Sequence, residues 1–162
     1  MSLTEFCFAL IVSLFMGKKQ HATLSETFED KFPKLFNFEA CGLILVDTTN
    51  GSLYKIIKNF TTEKEISEKP ESVMDNAGSN KPIILRMPGD RGITGNAMTF
   101  KEIQVAHEGD QSIKFAAEAD NSLGLPIVRN IMIGPCYDTQ GKIRGIIQMF
   151  NKMGSDPISL LD

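Results

Sequence analysis

Histidine and cysteine are scarce in this 162-residue chain, and that scarcity removes most metal and nucleophile chemistry from consideration. The three cysteines, Cys7, Cys41 and Cys136, are odd in number and far apart, with no CxxC pair. Together with His21 and His107 they give no metal-ligand spacing, and they read as reduced thiols of a cytoplasmic protein. A basic surplus is missing too. Seventeen Lys and Arg stand against 20 Asp and Glu, for a net charge of -3, and no basic stripe marks a nucleic-acid partner. Nor is there a membrane-spanning run. Phe6–Met16 (FCFALIVSLFM) is 11 residues long, where a span needs about 20. Glu5 precedes it and Lys18 and Lys19 follow, the reverse of a signal peptide. No HExxH, Ser-His-Asp or paired-carboxylate pattern occurs, so no catalytic residue is expected. Internal repeats and low-complexity tracts are absent as well.

What the chain does have is an ordinary globular balance, 42% hydrophobic and 23% charged, sized for one domain. Its clearest feature is Arg129–Lys152 (RNIMIGPCYDTQGKIRGIIQMFNK). Two apolar runs, Ile131–Tyr137 and Ile143–Phe150, flank the turn Asp138-Thr139-Gln140-Gly141, which predicts a β-hairpin at the centre of a sheet. Asn151-Lys152 breaks its apolar pattern. Upstream, Ala40–Val46 and Leu53–Phe60 read as strands joined through Asn50-Gly51, and Ile83–Met87 and Ile103–Ala106 as shorter ones. Helices are predicted over 4–19, over Thr23–Leu35 with Leu24, Phe28, Phe32 and Leu35 on one face, from the glycine-rich turn Gly89–Gly95 through Phe100, and over Ser112–Ala119. Thr61–Asn80 is a polar stretch too long for a simple hairpin loop. Asp156-Pro157 opens a last helix, with Pro just inside its start. Antiparallel strands with helices set apart from them describe an α+β domain.

The glycine-rich turn Gly89–Gly95 lacks the Lys-Ser/Thr of a phosphate loop and reads as a structural turn, although amides at the following helix start suit an anion. Cys136 has no nearby histidine to activate it, and His107 beside Glu108 reads as an exposed loop residue. For residues 4–19, apolar nearly all round, two readings stay open: packing on the domain's own sheet, or forming a dimer seam.

One ordered set of residues is more specific. Asp90-Arg91-Gly92-Ile93-Thr94-Gly95, then Phe115 and Asp120, then Arg129-Asn130-Ile131, Pro135, Gly141, Gly145 and Asn151-Lys152 resembles a GAF domain. The likeness is greatest to the regulatory GAF domains of cyclic-nucleotide phosphodiesterases and cyclases, and it spans about residues 23–154. The resemblance implies a central antiparallel sheet of about six strands, with helices on one face and a ligand pocket on the other. It carries pocket roles onto Gly42, Lys58, Ile93, Thr94, Ala116, Asp120, Val128 and Gln148. Lys58 stands near the position of the purine-stacking aromatic, with Phe60 two residues on. Ser155 replaces the Phe that follows the Asn-Lys pair in the family.

The expectation is therefore a non-enzymatic sensing and dimerisation module of a larger signalling protein. Its allosteric ligand would be a small molecule of the cyclic AMP or cyclic GMP kind, with no resident cofactor or metal. Residues 1–22 would form a linker or dimerisation helix, 23–154 the domain, and 155–162 the start of a C-terminal helix leading to an output domain. The alternatives are a ligand-free dimerisation module and a GAF-type reductase of free methionine sulfoxide relying on Cys136 and Cys41.

Overall fold

The computed structural model describes residues 28–47, 49–57, 83–108, 110 and 114–154. The helix expected over 4–19, the Thr61–Asn80 stretch, Lys58, Phe60 and Ser155 lie outside the described residues.

Six strands form one sheet: β1 (Phe38–Val46), β2 (Leu53–Ile57), β3 (Ile83–Met87), β4 (Gln104–His107), β5 (Asn130–Tyr137) and β6 (Ile143–Lys152). Their spatial order is β3-β2-β1-β6-β5-β4, and every neighbouring pair is antiparallel. The expected α+β architecture is the one found. The long hairpin supplies β5 and β6, and β6 lies at the middle of the sheet beside β1, paired from Phe38↔Lys152 to Leu45↔Gly145.

Alternation along β1 and β6 divides the core into two layers. On one face, Cys41, Leu43 and Leu45 pack with Phe28, Phe32, Ile56 and Met132. Phe28 and Phe32 belong to helix α1, whose described part is 28–36. Their rings stack at 3.9 Å, and Phe32 meets Phe36 at 5.0 Å. The expected apolar face is thus corrected at its last member. Leu35 is 56% exposed, because the buried stripe advances by fours through Phe28, Phe32 and Phe36.

On the other face, Ile44, Ile146 and Phe150 pack with Ile131, Ile133 and the helical residues Ile93 and Ala97. Those two sit on α2 (Gly92–Phe100), which ends at Phe100 as expected but begins at Gly92, inside the predicted glycine turn. A single turn, α3 (Ala117–Asp120), follows β4. It is shorter than the helix expected over Ser112–Ala119. Residues 114–116 are not helical, and Ala116 is extended at φ -119, ψ 103.

Asn151-Lys152 does not end the last strand, as its polarity suggests. Both residues stay in β6, and Asn151 is buried with a positive φ of 54. Its amide replaces lost ladder bonds: Oδ1 accepts from Arg129 N at 2.7 Å, and Nδ2 donates to Ile127 O and to Glu39 Oε2. Asparagine suits this position because it tolerates the left-handed region and carries both a donor and an acceptor.

Candidate functional site

The site is laid out by register. Gly42 on β1 lies directly opposite Gln148 on β6, which is in turn opposite Ile133 on β5. Over this strip of sheet stand the first turn of α2, the turn α3 and the loop that follows it. The Gln148 side chain is fully buried. Its Nε2 donates to Thr94 Oγ1 at 3.0 Å and to Ala119 O at 2.8 Å, and its Oε1 accepts from Ser122 N at 3.1 Å. Thr94 Oγ1 donates onward to Ala119 O at 3.1 Å. One amide on the central strand thus ties together α2, α3 and the loop.

Asp120 closes the network from above. Its Oδ1 accepts from Thr94 N at 2.7 Å, and its Oδ2 from Ile93 N at 3.0 Å and Ala116 N at 2.7 Å. The first two donors are orphan amides of the α2 N-terminus, where a negative charge also meets the favourable end of the helix dipole. The anion at that helix start is the chain's own carboxylate. Gly92 makes the approach possible: it has φ +65, and a Cβ there would lie 2.1 Å from Asp120 Oδ2. The bond to Ala116 N also explains why α3 starts so late, since it holds the residue before the turn in an extended conformation.

The structure therefore brings Gly42, Ile93, Thr94, Ala116, Asp120 and Gln148 together. Val128 stands apart, half-buried against the apolar layer of the same face. Gly42 is covered from above. A Cβ on it would lie 2.6 Å from Ser122 Oγ and 3.4 Å from Leu123 Cγ. Ser122 Oγ is itself buried and is the one buried side-chain N or O atom among the described residues that lacks a hydrogen-bond partner.

Sequence reasoning missed Lys55. It is the middle residue of LYKII in β2, 5% exposed, and its Nζ reaches Glu29 Oε1 on α1 at 2.8 Å and Ser122 O at 3.4 Å. The two partners belong to opposite faces of the sheet. The passage exists because β1 and β2 pair only at Leu45↔Tyr54 and Val46↔Leu53, after which the strands part. A signal was present: Lys55 shares the inward side of its strand with Leu53.

An apolar groove of about 180 Å³ opens on the α1 side, lined by Phe32, Phe36, Met132, Gly134, Ile147 and Met149. None of the described candidate residues lines it. Cys41 and Cys136 do not meet either. Cys41 pairs with Met149 and Cys136 with Gly145, about 13 Å apart along β6 at the usual strand rise. The two-cysteine reductase geometry is absent. Burial, with Glu29 nearby, pushes the Cys41 thiol up from 9.0 to about 12, so it is an inert thiol rather than a nucleophile. His107 is exposed at the end of β4. No cluster of three metal-ligating side chains occurs among the described residues, nor is any helix there long and apolar enough to cross a membrane.

No protein-family model matches the chain, and no curated protein does. Among solved structures it is similar to the GAF domain of a two-component sensor histidine kinase from Bacillus halodurans. The two share 17% identity with a TM-score of 0.51, over 90% of this chain and 82% of that one. At that identity the likeness concerns the fold, which is a GAF fold.

Proposed function

We propose that this chain is a regulatory, small-molecule-sensing and dimerisation module of a larger signalling protein, and not an enzyme. The observation that carries the reading is the convergence of Gly42, Thr94, Asp120 and Gln148 between the central strands and the loop after α3. These positions, singled out by resemblance while far apart in sequence, are the ones a ligand held by this fold would meet. The neighbour's printed role, a GAF domain within a sensor histidine kinase, supports the same reading. A cyclic nucleotide is the ligand to test first. Its phosphate would take the α2 amides that Asp120 now holds, with the base towards Val128. Residues 4–19 would form the dimer seam, and the covalently linked output domain would follow the C-terminal segment in the cytoplasm.

The test is titration calorimetry of the chain with cyclic AMP and cyclic GMP, alongside amide exchange of residues 116–126. Heat with either nucleotide, together with altered exchange in that loop, is the expected result. Silence from both nucleotides at millimolar concentration ends the cyclic-nucleotide version. Asp120→Ala is not a suitable probe of affinity, because the carboxylate already holds three backbone amides.

A second reading, a ligand-free dimerisation module, is favoured by one specific observation. Ser122 and Leu123 stand directly over Gly42, and both ends of the Gln148 amide are bonded within the chain. Sedimentation equilibrium separates the two readings when combined with the titration. A stable dimer that answers to no small molecule supports the second.

A further inference from the structure

We propose that Lys55 is a mechanical link through the sheet, joining the loop over the candidate pocket to helix α1 on the opposite face. The inference takes its purpose from the sensing reading, although the link itself requires no ligand. One ammonium group lies between Glu29 Oε1 at 2.8 Å and Ser122 O at 3.4 Å. The lysine end is 5% exposed, while the Glu29 side chain is 32% exposed, so the ammonium is shielded from bulk water and its carboxylate partner only partly. The gap it passes through follows from the two-residue pairing of β1 with β2.

Each end of the link is attached to something that can shift. Ser122 is held from its other side by Gln148, and its hydroxyl, buried and without a partner, sits against Gly42. Any group that enters over Gly42 must displace Ser122 and Leu123 first. When the Ser122 carbonyl leaves, the ammonium loses one of its oxygen partners inside the protein. A buried ammonium tolerates that poorly, so it must follow the loop or draw Glu29 after it. Glu29 lies one residue along from Phe28, the fully buried ring that seats α1 on Cys41 and Leu43. Loop displacement on one face therefore unseats the helix on the other, without any rearrangement of the strands.

Cys41 is the reporter, because it is 1% exposed beneath α1. The experiment uses the full chain with Cys7→Ser and Cys136→Ser, and follows labelling of Cys41 by dithionitrobenzoate. Gly42→Val places a side chain where a ligand would press on the loop, and amide exchange at 121–125 verifies that the loop has moved. The expected result is Cys41 labelling about tenfold faster than in the parent, by freer local opening of α1. In a Lys55→Met background, Gly42→Val should add nothing to the labelling rate. A Lys55 that merely stabilises the fold would instead leave the Gly42→Val effect undiminished, and that outcome overturns the proposal. An unchanged Cys41 rate in Gly42→Val, with the loop demonstrably displaced, overturns it as well. Should Gly42→Val not fold, Gly42→Ala, which requires chiefly that the Ser122 hydroxyl give way, supports the same cycle. Since no nucleotide is added, failure of the cyclic-nucleotide titration leaves this test intact.

Discussion

Gln148 and Met149 are consecutive on β6, yet they enter surroundings that share almost nothing. Met149 points to the α1 side, among Phe32, Phe36 and Ile147, along a groove left partly open. Gln148 points the other way into a closed space, where each end of its amide has an assigned bond. The α1 layer is held by burial and dispersion, which do not depend on direction and yield gradually when shapes change. The opposite layer is held by a few directed bonds in low dielectric, which are either made or broken. A sheet that carries one layer of each kind has a tolerant side and a side with discrete states.

Four tests follow from that contrast. Asp120→Ala attacks the directed layer at its most connected point and leaves three backbone amides without their acceptor. Stability in urea should fall by about 4 kcal/mol or more, with Asp120→Asn recovering part of the loss. The adjacent pair is the cleaner contrast. Gln148→Leu should cost about 2–3 kcal/mol by orphaning the buried Ser122 N and leaving the Ala119 carbonyl with Thr94 Oγ1 alone, whereas Met149→Leu should cost less than about 1.5 kcal/mol. Equal losses in chemical denaturation would dissolve the distinction between the faces.

The third probe is pH. The unfolded Cys41 thiol ionises near 9.0, while in the folded chain it keeps its proton up to about 12. The proton-bound form favours the fold, so this contribution is complete below the unfolded pKa and is lost as pH rises towards the folded one. Cys41→Ala should flatten the decline in urea midpoint as pH rises above about 9. The smallest effect belongs to Asp138, outside both layers. The Lys142 and Gln140 amides and the Arg144 guanidinium hold its carboxyl below the ordinary 3.8. Its contribution is present above that value and fades as pH falls through the depressed one. Asp138→Asn should therefore be slightly less stable at neutral pH, with the gap in thermal midpoint narrowing as pH falls below 3.8.

The strands were largely legible because alternation and turn chemistry are local. Ile83–Met87 is recovered residue for residue, and the Asn50-Gly51 and Asp138–Gly141 turns close where expected, each glycine at φ 74. What escaped was decided at a distance. Asn151 reads as the end of a strand until Arg129 and Ile127 arrive to bond it. Residues 114–116 read as helix until Asp120 folds back on Ala116. Lys55 looks like a surface lysine until β1 and β2 part to admit it. The positions that meet around Gln148 were legible only as a group, through resemblance. No single one of them has a local pattern that distinguishes a satisfied buried polar residue from a ligand contact.

One further feature bears on how such a domain is wired to its neighbours. Asn37, between α1 and β1, donates its Nδ2 to Met153 O at 2.7 Å, and its own carbonyl accepts from Met153 N at 2.8 Å. The chain thus enters and leaves the sheet through a single buckle. Whatever follows Gly154 therefore starts two hydrogen bonds away from the C-terminal end of α1, with none of the six strands in between.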